Sequence, residues 1–199
     1  MSQYDNEYYV LKKIDEDIYP SLTPLKETTS IRFNRKMPEP GQILKFKNRW
    51  KDDNETAGIN EDIGSVLFNG VDILVDEEIK EILSTESLHK VGYYPAIYIS
   101  DEDVWIEDYQ GVTILNRSEA WSREKSSYDK ENVGINNKYY LSKIVLDQSV
   151  LDKIPYEKRQ LFKLDSSMVN LTLIHKDLLM KFSDRIDSRI AIPVATYQG

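Results

Sequence analysis

The sequence predicts an α+β fold: a mostly antiparallel sheet with two strand-helix-strand units forming an internal pseudo-repeat. Three observations carry this. Short apolar runs, alternating or rich in β-branched residues, recur between clusters of Pro, Gly, Asn and Asp, which is the pattern of strands and turns. A strand runs straight into a helix twice, at residues 71–83 and 169–182; an offset of 99 matches Leu74 with Leu173, Val75 with Ile174, Ile79 with Leu178 and Leu83 with Phe182. Each helix then gives way to a strand containing proline, Pro95 in 94–99 and Pro193 in 190–194. A unit used twice points to a shared core, since a lone copy has no partner for its apolar face.

In chain order, Tyr8-Tyr9-Val10-Leu11 is an aromatic and β-branched strand, followed by the acidic run Asp15-Glu16-Asp17. Pro20 and Pro24 are expected to break any regular element between Ile18 and Leu25. Residues 31–51 are locally basic: Arg32, Arg35, Lys36, Lys45, Lys47, Arg49 and Lys51 face only Glu39, within which Pro38-Glu39-Pro40-Gly41 is a turn. The acidic stretch 52–62, with Asp52, Asp53 and Glu55, reads as an exposed loop. Asp76 suits the N-cap of the first repeated helix, Glu77 and Glu78 suit the positive end of its dipole, and Ile79, Ile82 and Leu83 share one face. Strands at 94–99, 104–106 and 112–116 then read as an antiparallel meander around the acidic turn 100–103.

Residues 117–138 are polar apart from Trp121 and Tyr128, and read as a long connection with one or two helical turns at 118–124. The second half restarts with a strand at 140–146 and a turn or short helix at 155–159. Paired strands at 161–164 and 169–174 follow, and then the second helix. No linker rich in Gly, Pro or Ser divides the chain. Residues 1–199 therefore read as one domain, with pseudo-repeat halves of roughly 1–116 and 139–199 joined by the connection 117–138.

With 199 residues, 40% of them hydrophobic and 11% aromatic, the chain is long and apolar enough to bury a sizeable core. Thirteen tyrosines against five phenylalanines tilt it toward amphipathic aromatics, which serve half-exposed strands or contact surfaces. The absence of cysteine excludes disulfides, thiolate metal sites and a cysteine nucleophile. No apolar run is long enough to cross a bilayer, and Met1-Ser2-Gln3-Tyr4-Asp5-Asn6-Glu7 lacks the basic start and apolar centre of a secretory signal. The expected location is the cytoplasm. A formal charge of −8 argues against nucleic-acid binding, which needs Lys and Arg to neutralise phosphate. It fits a basic protein partner, and it equally fits a surface that is acidic for solubility alone.

Motifs for chemistry are sparse. The two histidines, His89 and His175, have no metal-ligand spacing; His175, where a strand becomes a helix, reads as a capping or packing group. No glycine-rich phosphate loop and no Gly-x-Ser-x-Gly elbow occurs. Paired carboxylates are abundant, yet Asp101-Glu102-Asp103 lacks the further ligands and the glycine of a calcium loop. No catalytic residue, metal site or cofactor is expected. One constellation remains. Asp101, Glu102, Asp103, Glu107 and Asp108 surround Trp105, with Tyr109 beside them. Period-2 alternation sends Trp105 and Glu107 to one face and Val104, Ile106 and Asp108 to the other. Trp105 is then either an exposed aromatic anchor among acids, suited to a partner carrying Lys and Arg, or a ring packed beneath a loop.

These residues also carry a likeness. The opening Tyr8-Tyr9-Val10-Leu11, the run Ile73-Leu74-Val75-Asp76-Glu77-Glu78-Ile79 followed by Tyr94-Pro95-Ala96-Ile97, the run Val112-Thr113-Ile114-Leu115-Asn116, and the second strand–helix unit ending near Ile192-Pro193-Val194 resemble a family of immunity proteins. That family belongs to bacterial polymorphic-toxin and contact-dependent competition systems. Where it carries a small residue such as Ser at the two helix starts, this chain has Asp76 and His175. The resemblance implies a non-enzymatic cytoplasmic protein that binds a cognate toxin domain and blocks it by occluding its active site or substrate groove. The candidate partner-binding residues are Asp101, Glu102, Asp103, Trp105, Glu107 and Tyr109, with Trp121, Asp52, Asp53 and Glu55 second. Two other readings stand beside it: a metal-dependent hydrolase that reverses a toxin's modification, and a non-catalytic adaptor in a phage or secretion assembly.

Overall fold

The structure, a computed structural model, describes residues 2–31, 35–69, 72–131, 133–134, 137–169 and 171–199. Arg32 of the basic run, Val71 of the first repeated strand and Asn170 of the second lie outside the described residues. A 3-10 turn (Gln3–Asn6) leads into β1 (Tyr8–Leu11), followed by β2 (Leu22–Pro24), α1 (Lys26–Ile31), β3 (Leu44–Asn48) and α2 (Lys51–Ala57). Next come β4 (Val66–Asn69), β5 (Asp72–Asp76), α3 (Glu77–Thr85), β6 (Val91–Ile99) and β7 (Trp105–Ile114). The rest of the chain forms β8 (Arg117–Ser118), β9 (Ser127–Tyr128), β10 (Leu141–Lys143), α4 (Gln148–Leu151), β11 (Leu161–Leu164), β12 (Thr172–His175), α5 (Lys176–Leu179) and β13 (Ala191–Pro193). The fold is α+β and its sheets are mostly antiparallel; β3 with β6 and β8 with β11 are parallel pairs.

Six strands in the order β2-β3-β6-β7-β5-β4 make the first sheet. It curls until Ser21, just before β2, meets Phe68 of β4 in a parallel bridge, closing a small barrel. Alternation fills the interior with Leu22, Leu44, Phe46, Leu67, Leu74, Tyr94, Ala96, Tyr98 and Tyr109, drawn from all six strands. The second sheet has the order β13-β1-β12-β11-β8 and is buried on both faces. Tyr8, Val10, Phe162, Leu164 and Leu173 face a cover that contains Trp121, Leu141, Leu146 and Tyr197. Tyr9, Leu11, Leu161 and Ile174 face the opposite way, into an apolar seam with the outer wall of the barrel.

That seam joins the two strand–helix units. Ile79 and Leu83 of α3, Leu178 and Leu179 of α5, and Phe182 just past it pack there with Ile73, Val75, Val112 and Ile114. Each helix start is capped by the last residue of its strand: the Ile79 N–H donates to Asp76 Oδ1 at 2.8 Å, and the Asp177 N–H donates to His175 Nδ1 at 3.2 Å. The hairpin β4-β5 corresponds to β11-β12, and β6 corresponds to β13. Between them, where the barrel has β7, the second sheet has β1, antiparallel to both neighbours. The N-terminal strand thus belongs to the second sheet, so the repeats do not follow the division at 1–116.

Several expectations are corrected. A strand does form between Pro20 and Pro24, because Pro24 is the last residue of a three-residue strand and need not continue the ladder. Residues 51–57 are helix α2 rather than an exposed loop: Asp52 and Asp53 occupy its first turn, where the dipole favours them, and Gly58 ends it at φ +67°. Strands 104–106 and 112–116 are one continuous β7. The expected strand 140–146 is ordered as a ladder only at Leu141–Lys143; Ile144, Val145 and Leu146 are buried without it. Residues 118–124 form no helix beyond the single turn that the Ser126 N–H closes on the Ser122 carbonyl at 3.0 Å, because Ala120 and Trp121 are core residues and Trp121 bridges to Leu146.

Gly111 marks how tightly the barrel closes: a Cβ there would lie 2.5 Å from Leu44 Cδ1 and 3.6 Å from Leu74 Cδ2. Gly111→Ala is expected to lower stability to urea by about 1–3 kcal/mol. The loss should shrink when Leu44→Ala is made in the same chain, since the two changes share one space.

Candidate functional site

Five acids, Glu55, Glu61, Asp101, Glu102 and Asp103, converge at one end of the barrel. Asn48, buried at the end of β3, organises this end: its Oδ1 accepts from the Ser21 and Trp50 N–H groups, both at 3.2 Å, and its Nδ2 donates to Asp101 Oδ2 at 3.0 Å. The start of α2 and the β6–β7 turn are therefore held together. The turn closes with the Asp103 N–H on the Ser100 carbonyl at 3.0 Å, and Asp103 adopts φ +60°. Glu61 reaches in from the 58–65 connection, where its two carboxylate oxygens accept from the Asp101 N–H at 2.6 Å and the Tyr98 hydroxyl at 2.5 Å.

Around these groups lies an open cleft of about 550 Å³, lined by Lys51, Glu55, Glu61, Asp101, Glu102 and Asp103 among others. Lys51 Nζ donates to Asp103 Oδ1 at 2.6 Å, and this bond raises the lysine above its ordinary value. Burial pushes the Glu61 carboxyl up, against the hydrogen bonds from Tyr98 and Asp101. Asp101 Oδ1 is buried without a hydrogen-bond partner. Asp52 and Asp53 are exposed on α2, and Trp50, 48% exposed, stands at the start of that helix. The arrangement presents carboxylates around an open cleft. Among the described residues no group of three or more His, Asp or Glu side chains is arranged to hold a metal ion, and no helix is long and apolar enough to cross a membrane.

The sequence candidates divide. Asp101, Glu102, Asp103 and Glu55 meet at the cleft. Glu107 is exposed on β7, and Trp105 is 53% exposed on the outer wall, with Lys45 Nζ 5.0 Å from its ring centroid. Tyr109 is not a surface residue: it is 5% exposed inside the barrel and its hydroxyl donates to the Gly64 carbonyl at 2.7 Å. The cause is a β-bulge. Ala96 pairs with Tyr109 and Tyr98 with Ile106, so two residues of β6 span three of β7, and Ile106 and Tyr109 both turn inward. Val104, expected to point inward with Ile106, precedes the strand and is exposed. Trp121 is likewise buried, its ring at 5.1 Å from Tyr128 and 6.1 Å from Tyr139, and its Nε1 donating to the Asp165 carbonyl at 3.2 Å. Glu61, Lys51 and Trp50 were missed. The Trp50-Lys51-Asp52-Asp53 run, read as a helix start, would have been the available signal.

The chain matches no protein-family model and no curated relative.

A second polar cluster surrounds His175, 4% exposed between the edges of Tyr8 and Tyr156, each ring at 5.1 Å. Its Nδ1 accepts from the Asp177 N–H, and its Nε2 lies 3.6 Å from Glu7 Oε2. Burial lowers its pKa below 6.5 despite the raising effects of Asp177 and Glu7, whose carboxylates are themselves open to water. The fold thus favours the neutral ring. Its contribution is complete above about pH 6.5 and is lost as the pH falls below that value. The melting temperature is expected to drop between about pH 7.5 and pH 5.5, and His175→Asn, which keeps a capping acceptor, should flatten that part of the curve.

Proposed function

We propose that this chain is a non-enzymatic, cytoplasmic immunity protein that binds a cognate toxin domain and neutralises it by covering its active site or substrate groove. One observation carries the reading. Carboxylates distant in sequence, on α2, on the 58–65 connection and on the β6–β7 turn, surround one open cleft. The formal charge of −8 and the likeness of the strand–helix units to toxin-immunity proteins support it. An acidic surface of this kind suits a basic toxin groove, because opposite charge speeds encounter and fixes orientation.

The test uses the purified chain and the toxin domain encoded by the adjoining reading frame. Glu55→Lys with Glu102→Lys, both exposed positions, is expected to slow association about tenfold or more at low salt and to make its salt dependence shallower. Unchanged association kinetics would remove the acidic end from the contact. Tight binding that leaves the toxin fully active would refute neutralisation by occlusion.

A further inference from the structure

One side of the barrel's outer wall is covered. Phe68 of β4, Ile73 and Val75 of β5, and Val112 and Ile114 of β7 lie in the seam beneath α3, α5 and the second sheet. Among the described residues, the remaining wall, formed by β3, the end of β6 and the start of β7, keeps Lys47 and Trp105 exposed and Ile97 and Ile99 half-exposed. There the register sets Lys47 beside Ile99 and Ile99 beside Trp105. Trp105 and Val104 are each 53% exposed, and Ile97 and Ile99 are partly so. A half-exposed tryptophan beside a half-exposed isoleucine is costly to leave in water and is typical of a binding anchor.

We infer that this Trp105–Ile99 ridge is the anchor of the interface and that its occupant is a protein segment presenting an apolar side chain flanked by Lys or Arg. The inference rests on the toxin-binding reading and specifies what the toxin must offer. Charge complementarity selects the occupant. Carboxylates edge the ridge on the β7 side, with Glu102 and Asp103 in the turn and Glu107 and Asp108 on the bulge, all exposed. These four carboxylates outnumber Lys45 and Lys47 on the β3 side and leave the face acidic, which disfavours nucleic acid and anionic membranes. They complement an ammonium or guanidinium. The indole face itself does not need a foreign cation: Lys45 stands 5.0 Å from the ring centroid and supplies one from within the chain. The partner's apolar group therefore belongs on the ridge and its cations on the carboxylates beside it.

Calorimetry with the toxin domain of the adjoining frame tests this. Trp105→Ala is expected to weaken binding by about 30-fold or more with the same salt dependence as wild type, and with a melting temperature unchanged because the ring is exposed. Lys45→Ala is expected to change affinity by less than about threefold. If Trp105→Ala binds like wild type, the ridge is not the anchor while toxin binding stands. If the wild-type chain does not bind that domain at all, both inferences fall. A dimer of the chain alone, seen by sedimentation and dissolved by Trp105→Ala, would assign the face to a second copy and overturn the inference.

Discussion

The apolar seam between the barrel wall and the second sheet is the constraint on which the structure depends. Its side chains come from β5, α3 and β7 on one side and from β1, β11, β12 and α5 on the other. Neither unit can bury its helix or the outward face of its strands without the other. Fully burying a side chain the size of Ile79 or Leu178 contributes about 1.5–3 kcal/mol, whereas each helix is too short to persist by itself. The helices exist because the seam holds them, and Lys181 meets Glu86 across it at 2.6 Å. The N-terminal strand takes part in this: β1 lies between β12 and β13 and sends alternate residues to both faces of its sheet. The chain therefore cannot complete its second unit from the C-terminal half alone.

Closure of the barrel explains the excess of tyrosine over phenylalanine. The inward tyrosines span the core and deliver their hydroxyls to its ends: Tyr98 to Glu61, Tyr109 to the Gly64 carbonyl and Tyr94 to the Lys36 carbonyl. A phenylalanine would fill the same volume and leave those loops untied. Tyr4 on Asp152 and Tyr8 on the Arg159 carbonyl do the same work around the second sheet. Burial pushes Tyr8 and Tyr93 up to about 12, so these side chains stay protonated throughout the physiological range. The acidic end of the barrel is thus held from inside, through core residues that a surface-only view of the site would omit.

What could be read in advance follows from locality. The two strand–helix units, their caps at Asp76 and His175 and the α+β class all rest on patterns within about a dozen residues, where apolar period and capping chemistry suffice. The closed barrel rests on Ser21 meeting Phe68, and the place of β1 rests on pairing with residues more than 160 positions away; neither leaves a local trace. Tyr109 shows a sharper failure. One extra residue in β7 reverses the period-2 assignment beyond it, and no residue between Glu107 and Tyr109 announces a bulge. Trp121 was lost to composition, since a single tryptophan in a polar run looks exposed until its partners, Tyr128 and Tyr139, fold around it. The carboxylates of the cleft were visible one by one, but their convergence depended on α2, which an acidic stretch had disguised as loop.

Lys51 gives the cleft its particular character. It brings the lone cationic side chain among the cleft's lining residues, and it bonds Asp103, whose side chain is 80% exposed. An ion pair whose acid is so open to water is weak, because solvent and salt screen it, even though the Lys51 side chain is only 25% exposed. Its role is better understood as that of a replaceable counter-ion. Without it, Asp101, Asp103 and Glu61 would repel one another across the cleft, and the Glu61 carboxyl, already raised by burial, would lose the lowering effect of the Lys51 charge. With it, the acids are held in place, and on the proposed function an arriving lysine or arginine would exchange one weak pair for another. The turn is already shaped by Asn48 and Glu61 without that pair, so on the proposed function the energy of association would rest on the apolar contact beside the cleft.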